Sequence, residues 1–117
     1  MTGLREKAMV VINEQHSLLD EQLSLLDTNF HYHNGSKGWE LLKVPAEGWT
    51  LTEQLKRVVE LEGREVVFLS PIPAMIKWLS KRDAEKVFLF INDTREKKEL
   101  PGGKIIFVVP KTGWKLI

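Results

Sequence analysis

The chain has no cysteine among its 117 residues, which excludes disulfides, thiolate metal sites and a cysteine nucleophile. It also lacks a dominant charge: 17 Lys plus Arg stand against 16 Asp plus Glu, a formal net charge of +1. That balance gives no global drive toward duplex nucleic acid or a membrane surface, so any anion site has to be local. No apolar run approaches the roughly 20 residues needed to cross a bilayer. The opening Met1-Thr2-Gly3-Leu4-Arg5-Glu6-Lys7 has no hydrophobic signal core. Walker loops and glycine-rich dinucleotide fingerprints are missing, which argues against a simple mononucleotide or NAD site. There is no low-complexity tract, linker or repeat of solenoid length. These absences lead us to expect a soluble, cytoplasmic protein with no metal or cofactor. The length suits one domain, residues 1–117, with 1–8 as a short lead-in.

What is present is an alternation of apolar runs and helical patterns. Met9-Val10-Val11-Ile12-Asn13 reads as a buried strand, followed by polar Glu14-Gln15-His16-Ser17 and a leucine pattern at 19, 23 and 26 that predicts a helix beginning near Ser17. Phe30 to His33 precede Asn34-Gly35-Ser36-Lys37-Gly38, a turn suited to closing a hairpin, with Trp39 to Val44 as the returning strand. Thr50 and Glu53 form a capping box ahead of Leu51, Leu55, Val58 and Val59, and Gly63 ends that helix. Val66-Val67-Phe68-Leu69 and Val87-Phe88-Leu89-Phe90-Ile91 are continuous apolar runs, the pattern of strands covered on both faces. Between them Ser70-Pro71-Ile72-Pro73 opens a helix with Met75, Ile76 and Leu79 on its apolar stripe. Lys97 and Lys98, interleaved with Glu96 and Glu99, read as a solvated loop. Ile105 to Val109 and Trp114 to Ile117 add further strands. The fold class is α/β: a mainly parallel sheet flanked by helices.

In such sheets ligands bind at the carboxyl ends of the strands. If the strands at 9–13, 66–69 and 87–91 are adjacent, that rim gathers Asn13, Gln15, His16, Ser17, Ser70, Asn92, Thr94 and Arg95. Amide, hydroxyl, imidazole and guanidinium groups are those that hold a phosphate or nucleotide, aided by helix N-terminal amides. His16 is suited to proton transfer or to phosphate binding. Lys111 is a second cation able to face a phosphodiester. Each residue also has an ordinary reading: Ser17 and Ser70 as helix caps, Asn92 to Arg95 as a solvated turn.

His31 and His33 share one face of an extended segment, yet no third ligand stands at a matching interval, so they read as surface imidazoles rather than a metal site. The sequence Pro45-x-x-Gly48-Trp49 recurs as Pro110-x-x-Gly113-Trp114. Its tryptophans can stack on a base, but the commoner role of such residues is to close a core or an interface.

The segment Asn13-x-x-His16-Ser17-Leu18-Leu19-Asp20-Glu21-Gln22, closing a first strand in one small α/β domain, resembles the small CRISPR-associated accessory proteins with a CARF-like, Rossmann-like fold. The resemblance spans approximately residues 9–110. It implies binding of the cyclic oligoadenylate messenger of type III CRISPR antiviral signalling and a homodimer or higher homo-oligomer, the ring lying across a two-fold axis. For ring nucleases of that group it implies metal-independent cleavage, in which a ribose 2′-hydroxyl attacks the adjacent phosphorus. His16 would then serve proton transfer or oxyanion stabilisation, and Ser17 and Ser70 hydrogen bonds to phosphate or ribose. Asn13 and Asn92 would orient the ligand, Arg95 would neutralise charge, and Gln15 and Thr94 would complete the ligand-contacting set. Two alternatives stay open: a sponge that binds the messenger without cleaving it, and a non-catalytic protein-interaction domain.

Overall fold

The computed structural model describes residues 6–93, 96–108 and 110–117. Five strands form the main sheet: β1 (Ala8–Asn13), β2 (Trp39–Val44), β3 (Val66–Phe68), β4 (Val87–Asn92) and β7 (Trp114–Leu116), in the order β2-β1-β3-β4-β7. The first four are parallel, and β7 closes the edge antiparallel to β4. The α/β class and the mainly parallel sheet are therefore as expected, and the strands that begin at 8, 66 and 87 are neighbours.

Three helices cover the sheet: α1 (Asp20–Asn29), α2 (Leu51–Leu61) and α3 (Pro73–Asp83), the last followed by a single 3-10 turn at Ala84–Lys86. Leu26 of α1 and Phe30 pack with Ala8, Val10, Trp39, Val67 and Phe90 on one face. On the other, Val58 and Leu61 of α2 with Met75 and Leu79 of α3 cover Met9, Val11, Val44, Val66 and Phe68. Alternating β1 and β3 residues thus feed two cores, which is why these strands read as unbroken apolar runs.

Local chemistry starts and stops the helices. Thr50 Oγ1 accepts the Glu53 N–H at 3.2 Å, and the Glu53 carboxylate accepts the Thr50 N–H at 3.3 Å, as the capping box requires. Gly63, at φ +80°, turns the chain after α2 in a conformation costly for residues with a Cβ. Pro73 sits in the first turn of α3, where its missing N–H costs nothing. Helix α1 begins at Asp20, three residues beyond Ser17. There the buried Gln22, 2% exposed, turns its Oε1 back to the Leu19 N–H at 3.0 Å.

Three expectations are corrected. Trp39–Val44 is not the return of a hairpin. Residues 31–37 make a tight turn closed by one bridge, His31 to Lys37, and Trp39 onward runs parallel to β1 over six residue pairs. Burial decides this: Trp39 is 3% exposed, its indole N–H reaches Asp27 of α1 at 2.9 Å, and the Ala8 N–H donates to the Gly38 carbonyl at 2.9 Å. A Cβ on Gly38 would lie 3.0 Å from the Phe30 backbone, so only glycine lets the two segments approach so closely.

Second, β4 is covered on both faces only in part: Val87 and Leu89 pack on one core, Phe88 and Phe90 on the other. Phe90 is its one buried residue, and Ile91 is 39% exposed, because its outer neighbour is only the three-residue β7. Third, Glu96–Glu99 is a strand, β5, rather than a loop. It pairs antiparallel with β6 (Ile105–Val108) in a separate two-stranded sheet. Gly102 and Gly103, at φ +92° and +83°, turn the chain between them.

Candidate functional site

The strand order places β2 on one side of β1 and β3 on the other. The connections that leave β1 and β3, through α1 and α3, lie on opposite faces of the sheet. At such a reversal the loops leaving the two strands diverge at their carboxyl ends and open a crevice. Here these are residues 14–19 after β1 and 69–72 after β3.

Asn13 organises the first loop. Its Oδ1 accepts the Gln15 N–H at 3.0 Å, a side-chain mimic of a turn, while Nδ2 donates to the Pro45 and Ala46 carbonyls at 3.3 and 3.5 Å. Glu14 adds a second clamp to the β2 exit: its N–H donates to Val44, and its carboxylate accepts the Ala46 N–H at 2.9 Å. The His16 N–H donates back to the Asn13 carbonyl at 2.9 Å, which carries the exposed imidazole over the end of β1.

The Asn13 N–H crosses to β3 and donates to Ser70 Oγ at 2.9 Å, and the same Oγ lies 3.4 Å from His16 Nδ1. Ser70 is itself pinned to β1, its N–H donating to the Val11 carbonyl at 3.1 Å. The fold thus joins Asn13, His16 and Ser70, residues separated by up to 57 positions, in one hydrogen-bonded group. Gln15 and Ser17 are exposed on the same loop. Asn92, at the end of β4, donates to the Thr112 carbonyl at 2.9 Å and so holds the turn before β7. Thr94 and Arg95 lie outside the described residues.

The helix starts on this rim differ in electrostatics. The first turn of α1 carries Asp20 and Glu21, so its own carboxylates already meet the positive end of its dipole. Glu21 is further engaged, accepting the Trp114 N–H at 2.7 Å and fastening β7 to α1. The α3 start has no acidic residue in its first turn and no side-chain cap. Ser70, two residues before the Ile72 N-cap, stands beside that open end, so the α3 side is the more receptive to an anion. Neither Ser17 nor Ser70 acts as a helix cap.

An open groove of about 680 Å³ runs along the same rim between Leu18, Leu19, Asp20, Glu21 and Ser24 on one wall and Lys111 and Thr112 on the other. Lys111 therefore reaches the α1 end of the rim. Both Pro-x-x-Gly-Trp turns bracket the rim, one after β2 and one before β7. Their glycines share φ +83°. Their tryptophans close opposite cores. Trp49 packs on the α2/α3 side with the Arg57 guanidinium 5.3 Å from its ring centre, and Trp114 packs on the α1 side edge-on to Phe90.

His31 and His33 are exposed, and no group of three metal-donor side chains occurs among the described residues. No described helix is long and apolar enough to cross a membrane. Sequence reasoning missed Glu14, Glu21 and Gln22 as the residues that fix the loop and the start of α1. Gln22 had a local signal, a polar residue three positions after the N-cap, whereas the partner of Glu21 is 93 residues away. Compared with known proteins, the chain matches no family profile, no curated protein and no solved structure.

Proposed function

We propose that the protein binds cyclic oligoadenylate over the β1/β3 strand ends and cleaves it as a metal-independent ring nuclease of the CARF-like type. The observation that carries this reading is the position of the His16–Ser70 pair: an exposed imidazole and a hydroxyl 3.4 Å apart where the strand order reverses. At the uncapped start of α3 beside them, Pro71 and Pro73 carry no N–H, and the Ala74 N–H is a backbone donor left for a phosphate.

In the reaction, the ribose 2′-oxygen bonds to the adjacent phosphorus and the bond to the 5′-oxygen breaks. The 2′-proton leaves and a proton reaches the 5′-oxygen, giving a 2′,3′-cyclic phosphate and a 5′-hydroxyl. The protein has to align this attack and stabilise charge on the phosphoryl oxygens. His16 meets the phosphate; Gln15, Ser17 and, beyond the described residues, Thr94 and Arg95 contact the ligand; Asn13 and Asn92 shape the loops that orient it. A symmetric ring calls for two copies of the site, so the working form is a homodimer with the rims facing across a two-fold axis.

The test is incubation with cyclic tetra-adenylate and cyclic hexa-adenylate in EDTA, with products followed by chromatography and binding by gel shift. Linear products ending in a 2′,3′-cyclic phosphate support the ring nuclease. Binding without conversion replaces it with a messenger sponge. Absence of both removes the reading.

One observation favours a protein-interaction domain instead. Leu51, Leu55 and Val59 of α2 are 58, 45 and 67% exposed at helical spacing, beside an apolar cleft of about 410 Å³ that reaches Trp78. A ligand that binds the folded state raises the melting temperature, so saturating cyclic oligoadenylate separates the two readings.

A further inference from the structure

We infer that Ser70 is a positioning residue that holds His16 as its Nε2–H tautomer, so that the imidazole presents a hydrogen-bond donor rather than a base to the ligand. A hydroxyl has one proton to give and two lone pairs that accept. The Asn13 N–H, 2.9 Å away, can only donate, and it takes one of the Ser70 lone pairs. The contact at 3.4 Å to His16 Nδ1 then has two arrangements. In one, the Ser70 O–H donates to Nδ1, which must be unprotonated, and the ring proton sits on Nε2. In the other, Nδ1–H donates to Oγ, and the hydroxyl proton has no acceptor among the described residues.

The first arrangement gives the Ser70 O–H and His16 Nδ1 each a partner and leaves only the exposed Nε2–H open. It is also the one the Asn13 bond reinforces, because an amide donating to Oγ draws electron density from the hydroxyl and makes its O–H the better donor. The Asn13 N–H holds the oxygen itself, and the Leu69 and Ser70 N–H groups, both donating to the Val11 carbonyl at 3.0 and 3.1 Å, fix the backbone that carries it. A second-neighbour hydrogen bond fixing the tautomer of a working histidine is a general device.

His16 Nε2 has no partner among the described residues, and the side chain is exposed. Its N–H is therefore free for a ligand acceptor. On the ring-nuclease reading, on which this role for the donor rests, that acceptor is a non-bridging phosphoryl oxygen gaining charge in the transition state. His16 then stabilises the oxyanion and does not take the 2′-proton, which leaves to water.

The first experiment needs no ligand. Long-range nitrogen–proton correlation spectra of the full chain at alkaline pH, where imidazoles are neutral, report which ring nitrogen carries the proton. The expected result is Nε2–H for His16 in the parent and a mixture of tautomers in Ser70→Ala, with Ser70→Thr retaining the parental state. His16 found as Nδ1–H in the parent, or an unchanged tautomer in folded Ser70→Ala, overturns the inference. The second experiment separates donor from base with cyclic tetra-adenylate as the probe. Glutamine has an N–H donor at a similar reach and no basic nitrogen, so His16→Gln should retain more kcat than His16→Ala, with KM alike in both. Equal loss in the two variants overturns the donor role. If cyclic tetra-adenylate is neither bound nor cleaved, the ring-nuclease reading fails while the tautomer spectra still decide the role of Ser70.

Discussion

The centre of the sheet and its β4/β7 margin are built from similar sequence and behave differently. Val66-Val67-Phe68 and Val87-Phe88-Leu89-Phe90-Ile91 both read as strands buried on two faces, yet all three β3 residues are at most 1% exposed while β4 keeps only Phe90 buried. β3 lies between two longer strands and beneath helices on both sides, whereas β4 is flanked by three residues of β7. Their carboxyl ends differ in the same way. At β1/β3 the polar groups bond across strands and leave an imidazole facing solvent. At β4/β7 they tie the chain to itself, Asn92 to Thr112 and Asp93 to Lys115. An apolar run records what a strand can bury; its neighbours determine what it does bury.

That contrast is most severely tested by Phe68→Ala against Ile91→Ala. Truncating a phenylalanine at 1% exposure should cost about 3–5 kcal/mol, and truncating the isoleucine at 39% exposure less than about 1 kcal/mol. Urea denaturation with an unchanged slope measures both. Comparable losses would mean that the margin is covered in solution, for instance by a second copy. The next largest effect is on chemistry. His16→Ala should lower the cleavage rate by about 100- to 1,000-fold, the usual cost of removing an oxyanion donor, and leave the melting temperature within a degree or two of the parent. A cleavage rate equal to the parent's would end the assignment of His16 and return the rim to a structural role.

A smaller effect tests how the outer strand β2 is held. Asp27 is exposed on α1, but its carboxylate is the acceptor for the buried Trp39 indole. Asp27→Ala should destabilise by about 1 kcal/mol through the stranded N–H, whereas Asp27→Asn, which keeps an acceptor, should cost less. Equal losses from both would point to charge rather than the hydrogen bond.

How much of this was legible in the sequence follows from the range of the interactions. Helix ends set by neighbours in the chain, such as Thr50 with Glu53, Gly63 and Pro73, were readable, as were the central strands. Strand β2 was readable in its bounds, Trp39–Val44, but not in its pairing, because what makes it parallel to β1 is the return of the chain through α1. Strand β5 was missed because Glu-Lys-Lys-Glu has no apolar face to mark it. At the rim, the rule that ligands meet strand ends selected Asn13, His16 and Ser70 together. The bond from Asn13 to Ser70 depends on the β1/β3 register, Val11 opposite Phe68, which no local pattern carries.

The smallest prediction concerns the ion pair at the margin, Lys115 Nζ to Asp93 Oδ2 at 2.7 Å. The hydrogen bond between them, with their Coulomb attraction, holds the Asp93 carboxyl below its usual range and the Lys115 ammonium above its own. For the aspartate the folded value is the lower one, so its contribution is present above the unfolded carboxyl range and disappears as pH falls through the folded value. For the lysine the folded value is the higher one, so its contribution is complete below the unfolded ammonium range and is lost as pH rises through the folded value. The pair should therefore support the β4/β7 junction across neutral pH and fail at both extremes. Both groups are solvated, so screening keeps the effect small. Asp93→Asn should shift the melting temperature slightly at pH 7 in low salt, and the shift should vanish at 1 M salt or once the pH falls through the lowered Asp93 carboxyl range. A shift that persists under those conditions would mean that Asp93 acts through the backbone around the Gly113 carbonyl, to which its N–H donates at 3.2 Å, and not through its charge.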